Sequence, residues 1–248
     1  MAKKIIATIL LVFVLIPYSG LSQTTAQAES ESFLEAKQIL QKMSNYLSEA
    51  QSFSFQAEMI EDRLFEADRY IHSSVNSEVT IKRPDKVYAD IKSDYNHKRY
   101  WYDGQKITLL TVPANFYATA EATGDIDEMT DFVYENFGVS IPLATLSFED
   151  SYKVLMDGVT NGYYTGLHHV DGVLCHQLLF INEDAEWQIW IEDGENSVPR
   201  KYVVKYRMDN RDYHFVARMK HWTFNEYAPD EMFKFIAPPD ADVIEFVK

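Results

Sequence analysis

Few residues in this chain have the type and spacing to do chemistry. Seven histidines are present. His168 and His169 precede Asp171, and His176 follows. Neighbours on a strand point to opposite faces, so His168 and His169 do not converge on one ion. Neither H-x-x-x-H nor H-E-x-x-H occurs, and no metal ligands are assigned. The single cysteine, Cys175, lies in an apolar run, where a thiol acts as a small hydrophobe. Alone, it excludes an intramolecular disulfide and a Cys-based zinc site. There is no G-x-S-x-G nucleophile elbow, no G-x-G-x-x-G and no G-x-x-x-x-G-K-[ST]. Asp184, Glu186, Glu192, Asp193 and Glu195 crowd the ends of two runs and read as a solvated rim. A glycosidase needs two converging carboxylates, which spacing does not show. The expectation is no catalytic residue, no cofactor and no enzyme.

What remains is apolar surface, and that depends on the elements that carry it. Ser32 to Leu47 reads as an amphipathic helix through Phe33, Ala36, Ile39, Leu40, Met43 and Leu47, with Ser32 and Glu35 as a capping box. From Phe53 the period becomes two. Phe53, Phe55, Ala57 and Met59 alternate with polar residues, as do Val79 and Ile81, and Val87, Ala89 and Ile91. Asp103-Gly104 joins Arg99–Tyr102 to Gln105–Val112 as a hairpin. Between Glu121 and Phe148 the pattern is helical. Asp125 caps with Glu128, the apolar stripe is Ile126, Met129, Phe132, Val133 and Phe137, and Gly138 closes it. A shorter helix is expected around Pro142 to Phe148.

Strands are expected again at Tyr152–Met156, Tyr163–His169, Val173–Asn182, Glu186–Glu192, Arg200–Met208 and Tyr213–Asn225. Gly104, Gly158, Gly162, Gly172 and Gly194 each follow Asp or Asn, the chemistry of tight hairpin turns. Short connections make the sheet antiparallel, and one-sided alternation leaves one face to be covered. The fold class is α+β: a curved antiparallel sheet forming an incomplete, half-open barrel with helices over its concave face.

Composition narrows the partners. The chain has 248 residues and a formal net charge of −15. Setting aside Lys3 and Lys4 leaves 21 basic residues against 38 acidic, or −17. Such a surface repels nucleic acid and anionic membranes. Lys3-Lys4, the apolar run Ile5–Ile16 and the Ala26-Gln27-Ala28 site make a secretory signal peptide, cleaved after Ala28. Twelve residues span roughly 18 Å as a helix, short of a ~30 Å hydrocarbon core. Residues 1–28 are thus expected to be removed, leaving 29–248 as one domain with a helical lid at 121–148 and no transmembrane segment.

The segment DAEWQIWIEDGENSVPRKYVVKY, Asp184 to Tyr206, resembles a family of predicted periplasmic proteins of unknown function with a W-Q-I-W-I-E-D-G core followed by P-R-K. HVDGVLCHQLLF, YDGQKITLL, GDIDEMTDFVYENFGVSIPLATL and MFKFIAPPDADVIEF fit the same family, from about Phe33 to Phe246. That family is similar in turn to the periplasmic lipoprotein carriers: a Y-D-G hairpin, a late strand ending in Pro plus a basic residue, and an F-x-F-x-x-P-P close. The resemblance implies a half-closed barrel with a helical lid over an apolar cavity that holds acyl chains. It implies a periplasmic location, with secretion as the alternative, and it implies no catalytic residues.

On that reading Phe53, Phe55, Met59, Trp187, Ile189, Ile191, Tyr202, Val204, Tyr206, Phe215 and Met219 line the cavity, against the alternative of a filled core. Ile126, Met129, Phe132, Val133 and Phe137 form the lid, against a permanent core helix. Trp190 and Trp222 fall opposite their apolar neighbours and mark either a partner patch or packing under a loop. Arg200 and Lys201 make rim ion pairs or meet an acidic headgroup. The expected function is a carrier for a lipid or lipidated peptide. The alternative is an envelope sensor or scaffold that binds a protein partner.

Overall fold

A computed structural model of the protein describes residues 29–66, 69–139, 141–208 and 211–246. The expected signal peptide lies outside them. Helix α1 (Glu31–Ser48) comes first, then six strands: β1 (Ser52–Glu66), β2 (Arg69–Lys82), β3 (Lys86–Ser93), β4 (His97–Tyr102), β5 (Lys106–Thr111) and β6 (Phe116–Glu121). A helical stretch follows, with α2 (Ile126–Phe137), a 3₁₀ turn at Ala144–Ser147 and α3 (Ser151–Leu155). Strands β7 (Asn161–Val170), β8 (Val173–Ile181), β9 (Ala185–Glu192), β10 (Pro199–Met208) and β11 (Arg211–Phe224) return. A 3₁₀ turn at Asp230–Phe233 and the short β12 (Asp242–Val243) end the chain.

The twelve strands form one sheet, in the order β12-β6-β5-β4-β3-β2-β1-β11-β10-β9-β8-β7. Among the described residues every pairing is antiparallel except β12 on β6. The first and second halves of the chain each make a meander, and they meet where β1 pairs with β11. The outer strands β12 and β7 do not pair with each other, so the curved sheet is an incomplete barrel.

Two helical covers divide the concave face. Helix α1 lies on the β7–β9 side, touching β7 most. Its Phe33, Ala36, Leu40, Met43 and Leu47 are buried, the stripe its spacing predicts. Gly162 is not a turn residue but sits inside β7, where an added Cβ would stand 2.9 Å from the Phe33 ring and 2.8 Å from that of Phe180. Its missing side chain admits the helix. On the other side α2 begins at a reciprocal Asp125–Glu128 capping box and ends at Gly138 with φ 64°. Its first amide donates to the carbonyl of Pro84 beyond β2.

Three local expectations are corrected. The N-cap of α1 is Ser30, whose hydroxyl accepts from the Phe33 amide, not Ser32. Tyr152–Met156 is not a strand: residues 151–155 form α3, capped by Asp150 and tied to the Ser44 hydroxyl through Ser151 and the Tyr152 amide. Trp222 is not opposite its apolar neighbours. Residue His221 has φ 55° and the β1–β11 register slips there, so a bulge turns Trp222 onto the concave face. Its ring stacks on Phe55 at 4.6 Å.

Candidate binding cavity

The β1–β4 half of the concave face is not filled by α1. A cavity of about 260 Å³ lies there, near the lower end of the ~300–1,000 Å³ typical of ligand pockets. Alternation positions its walls. In successive cross-strand rows the facing residues are Ile81 and Val87, then Phe55, Val79, Ala89 and Tyr100, then Ser77, Ile91 and Lys98, then Met59, Val75 and Ser93, and finally Glu61. Ile126, Met129 and Thr130 of α2 and Ile141 to Ala144 of the following turn form the roof.

The rows grade in polarity. The inner two are apolar apart from the Tyr100 hydroxyl, and burial pushes the pKa of Tyr100 up. Behind them Tyr102 closes the base, its hydroxyl donating 2.6 Å to the Gly124 carbonyl before α2. Burial, with Asp85 and Asp125 nearby, pushes its pKa to about 12. Polar groups collect outward: Ser77, Lys98, Ser93, Asn96 and Glu61. Beyond Glu61, the Arg63 guanidinium lies 4.2 Å over the ring of Tyr95 in the β3–β4 turn.

The roof is anchored by Arg83. One guanidinium nitrogen donates to the Ser147 carbonyl at 2.7 Å, the other to those of Phe148 and Leu47. Burial lowers its pKa, opposed by Asp127 and Glu149. One side chain of β2's end thus holds the carbonyl ends of α1 and of the roof turn. At the far end of α2, Phe137 packs edge-on to Phe132 and stacks on Phe246 at 4.6 Å.

The structure separates the expected lining residues. Phe55 and Met59, and Ile126 and Met129 from the lid, face the cavity. Phe53 is buried at its base, stacked on Phe55. Val133 is buried, and Phe132 and Phe137 are half-buried beside it. Trp187, Ile189, Ile191, Val204 and Met219 lie in the packed core that α1 joins and do not line the cavity; Ile189 is 0% exposed. Trp187 stacks on Phe180 at 4.4 Å, which meets Phe33 of α1. Tyr202 and Phe215 are half-buried against that core, and Tyr206 is exposed. The walls from β2, β3 and β4 are not among the expected lining residues, although Val75, Val79, Val87, Ala89 and Ile91 show the same alternation.

The other singled-out groups lie elsewhere. Trp190 is 8% exposed on the opposite sheet face, packed with Val170 and Cys175 beneath the Lys201 ammonium. Burial raises the Cys175 thiol to about 11. Arg200 pairs with Glu192, its Nε 2.7 Å from the carboxylate. The His176 ring meets Asp193 and the Tyr164 hydroxyl, and His168 meets the Thr165 carbonyl. Among the described residues no cluster of three His, Cys, Asp or Glu could hold a metal ion, and no helix is long and apolar enough to cross a membrane.

Among curated proteins none matches the chain. Solved structures do. An uncharacterized conserved protein from Thermus thermophilus is similar at TM-score 0.50 and 9% identity, over 85% of this chain and 99% of that one. The lipoprotein LppX of Mycobacterium tuberculosis is similar at TM-score 0.50 and 11% identity, over 80% and 99%. A LolA superfamily protein from Nitrosomonas europaea gives TM-score 0.38 at 10% identity, over 81% and 97%. The first two show a shared fold and nothing more. The family model described as "Predicted periplasmic protein (DUF2092)" matches residues 36–247. The chain therefore belongs to the DUF2092 family of predicted periplasmic proteins.

Proposed function

We propose that the protein is a periplasmic binding or carrier protein that holds the apolar part of a lipid or lipidated peptide between strands β1–β4 and α2. The carrying observation is the cavity beneath α2, apolar at its inner end and polar at its mouth. Burial of each methylene supplies ~0.8 kcal/mol, so a single chain reaches useful affinity without a covalent step or cofactor. Export by cleavage after Ala28 accords with the family's description. In this reading residues 29–248 act as one domain, and the 121–148 segment, roofed by Ile126 and Met129, opens for entry.

The test is native mass spectrometry of protein purified from the periplasm without detergent, with organic extraction of the same sample. The expected result is a co-purifying mass that extracts as a lipid. A bare protein that takes up neither phospholipid nor acylated peptide counts against the carrier. It favours the second reading, an envelope scaffold that binds a protein partner. That reading draws on the exposed apolar side chains of the C-terminal segment, Tyr227, Ile236 and Val243.

A further inference from the structure

We infer that the cavity takes an amphiphile with one chain and an anionic headgroup, with Lys98 as the residue that reads the charge; this rests on the carrier reading above. Size sets the first half. The cavity of about 260 Å³ lies just below the ~300–1,000 Å³ of pockets that take drug-sized ligands. A space of that size suits one chain.

Polarity sets the second half. The headgroup belongs at the polar end, and its depth is fixed by where the polar rows begin. The first charged side chain met from the inner end is Lys98, on the wall in the row of Ser77 and Ile91. It is half-buried, and among the described residues it carries no ion pair. The Asn96 side-chain amide stands at the next row as a further donor, while the Ser93 hydroxyl beside it already donates to the Asn96 carbonyl. Among the described residues Glu61 is the one carboxylate of the lining. It lies two rows further out along β1 than Ala57, the partner of Ser77, roughly 13 Å at the rise of a strand. Arg63 follows it. An anion bound beside Lys98 therefore meets donors first, in a chain whose net charge of −15 otherwise disfavours anions. A cationic headgroup at that depth would face Lys98 with no carboxylate in its row.

The experiment compares dodecyl phosphate, dodecanol and dodecyltrimethylammonium by calorimetry below their micelle concentrations. The three share a tail and differ only in charge. Dodecyl phosphate should bind about tenfold tighter than dodecanol, a charge-assisted contact's worth, and dodecyltrimethylammonium weakest. Lys98→Met should remove that preference, so that the variant binds dodecyl phosphate and dodecanol alike. Lys98→Glu should reverse the order of the two ions. Both variants are checked for fold by circular dichroism. Equal affinity for dodecanol and dodecyl phosphate, or equal losses for both in Lys98→Met, overturns the headgroup assignment while leaving the cavity reading intact. Failure of all three probes to bind overturns the cavity reading itself.

Discussion

The Ser32 hydroxyl serves both backbone groups of Tyr164, accepting from its amide at 2.9 Å and donating to its carbonyl at 3.2 Å. The two residues are 132 positions apart. Strand β7 is an edge of the sheet, where unpaired amides and carbonyls invite a foreign strand. One side chain from α1 occupies that position and fixes the helix against the edge.

Ser32→Ala removes both contacts. The expected loss is about 1–2 kcal/mol in urea unfolding, because the freed groups sit at an edge that water reaches. The variant should also self-associate more at high concentration, measured by sedimentation. Unchanged stability would remove Ser32 from its role as the edge cap.

Ala144→Trp fills the cavity from its roof. Ligand uptake should fall at least about tenfold, while overpacking costs roughly 1–3 kcal/mol. Ile189→Val, in the packed half, is the control. It should cost about 0.5–1.5 kcal/mol and leave uptake unchanged. Equal effects on uptake would place the ligand elsewhere on the concave face.

Arg83→Met strands the carbonyls of Leu47, Ser147 and Phe148. Hydrogen bonds from a charged donor contribute about 1.5–3 kcal/mol each before overlap. Amide hydrogen exchange should accelerate in residues 141–156 more than in the β8–β10 strands. Uniform acceleration would show that Arg83 supports the whole fold and not the roof.

Asp90 on β3 is buried, bonded to Arg99 at 2.7 Å and His97 at 2.8 Å. Burial by itself would raise its pKa, but these hydrogen bonds outweigh it and hold the carboxyl below its ordinary value. Its folded pKa is therefore below its unfolded one. The stability it confers is complete above the unfolded value of about 3.9 and is lost as pH falls through the folded value. Asp90→Asn should be less stable at pH 7 and should lose less than the parent on acidification from pH 5 to pH 3, followed by thermal unfolding. A parallel acid profile in the two proteins would sink the assignment.

Much of this fold is written in local pattern. Alternation in Phe53–Met59 or Val87–Ile91 needs only the geometry of a strand, and each is one. Asp125, Glu128 and Gly138 delimit α2 because caps satisfy the helix's own end groups, within one turn. Where a distant partner competes, the local signal fails. Ser32 and Glu35 have capping-box spacing, but the Ser32 hydroxyl is taken by Tyr164 and the cap passes to Ser30. Residues 152–156 carry strand-like alternation, but Ser44 of α1 holds their first turn as a helix.

The same division runs through the binding site. Sequence by itself determined which residues of a regular strand share a face, since period two assigns a face whatever the strand pairs with; the bulge that turns Trp222 onto the concave side was not written in it. It could not say where along twelve strands the helices would lie. That depends on Gly162 admitting Phe33 at β7, and on Arg83 drawing α1's end and the roof turn together. Those contacts put α1 over Trp187 and Ile189 and leave Val79, Ala89 and Lys98 around open space. Face is a property of each residue and its neighbours in the chain. Whether that face is filled or empty is a property of volumes brought together from distant segments, and only the tertiary structure decides it.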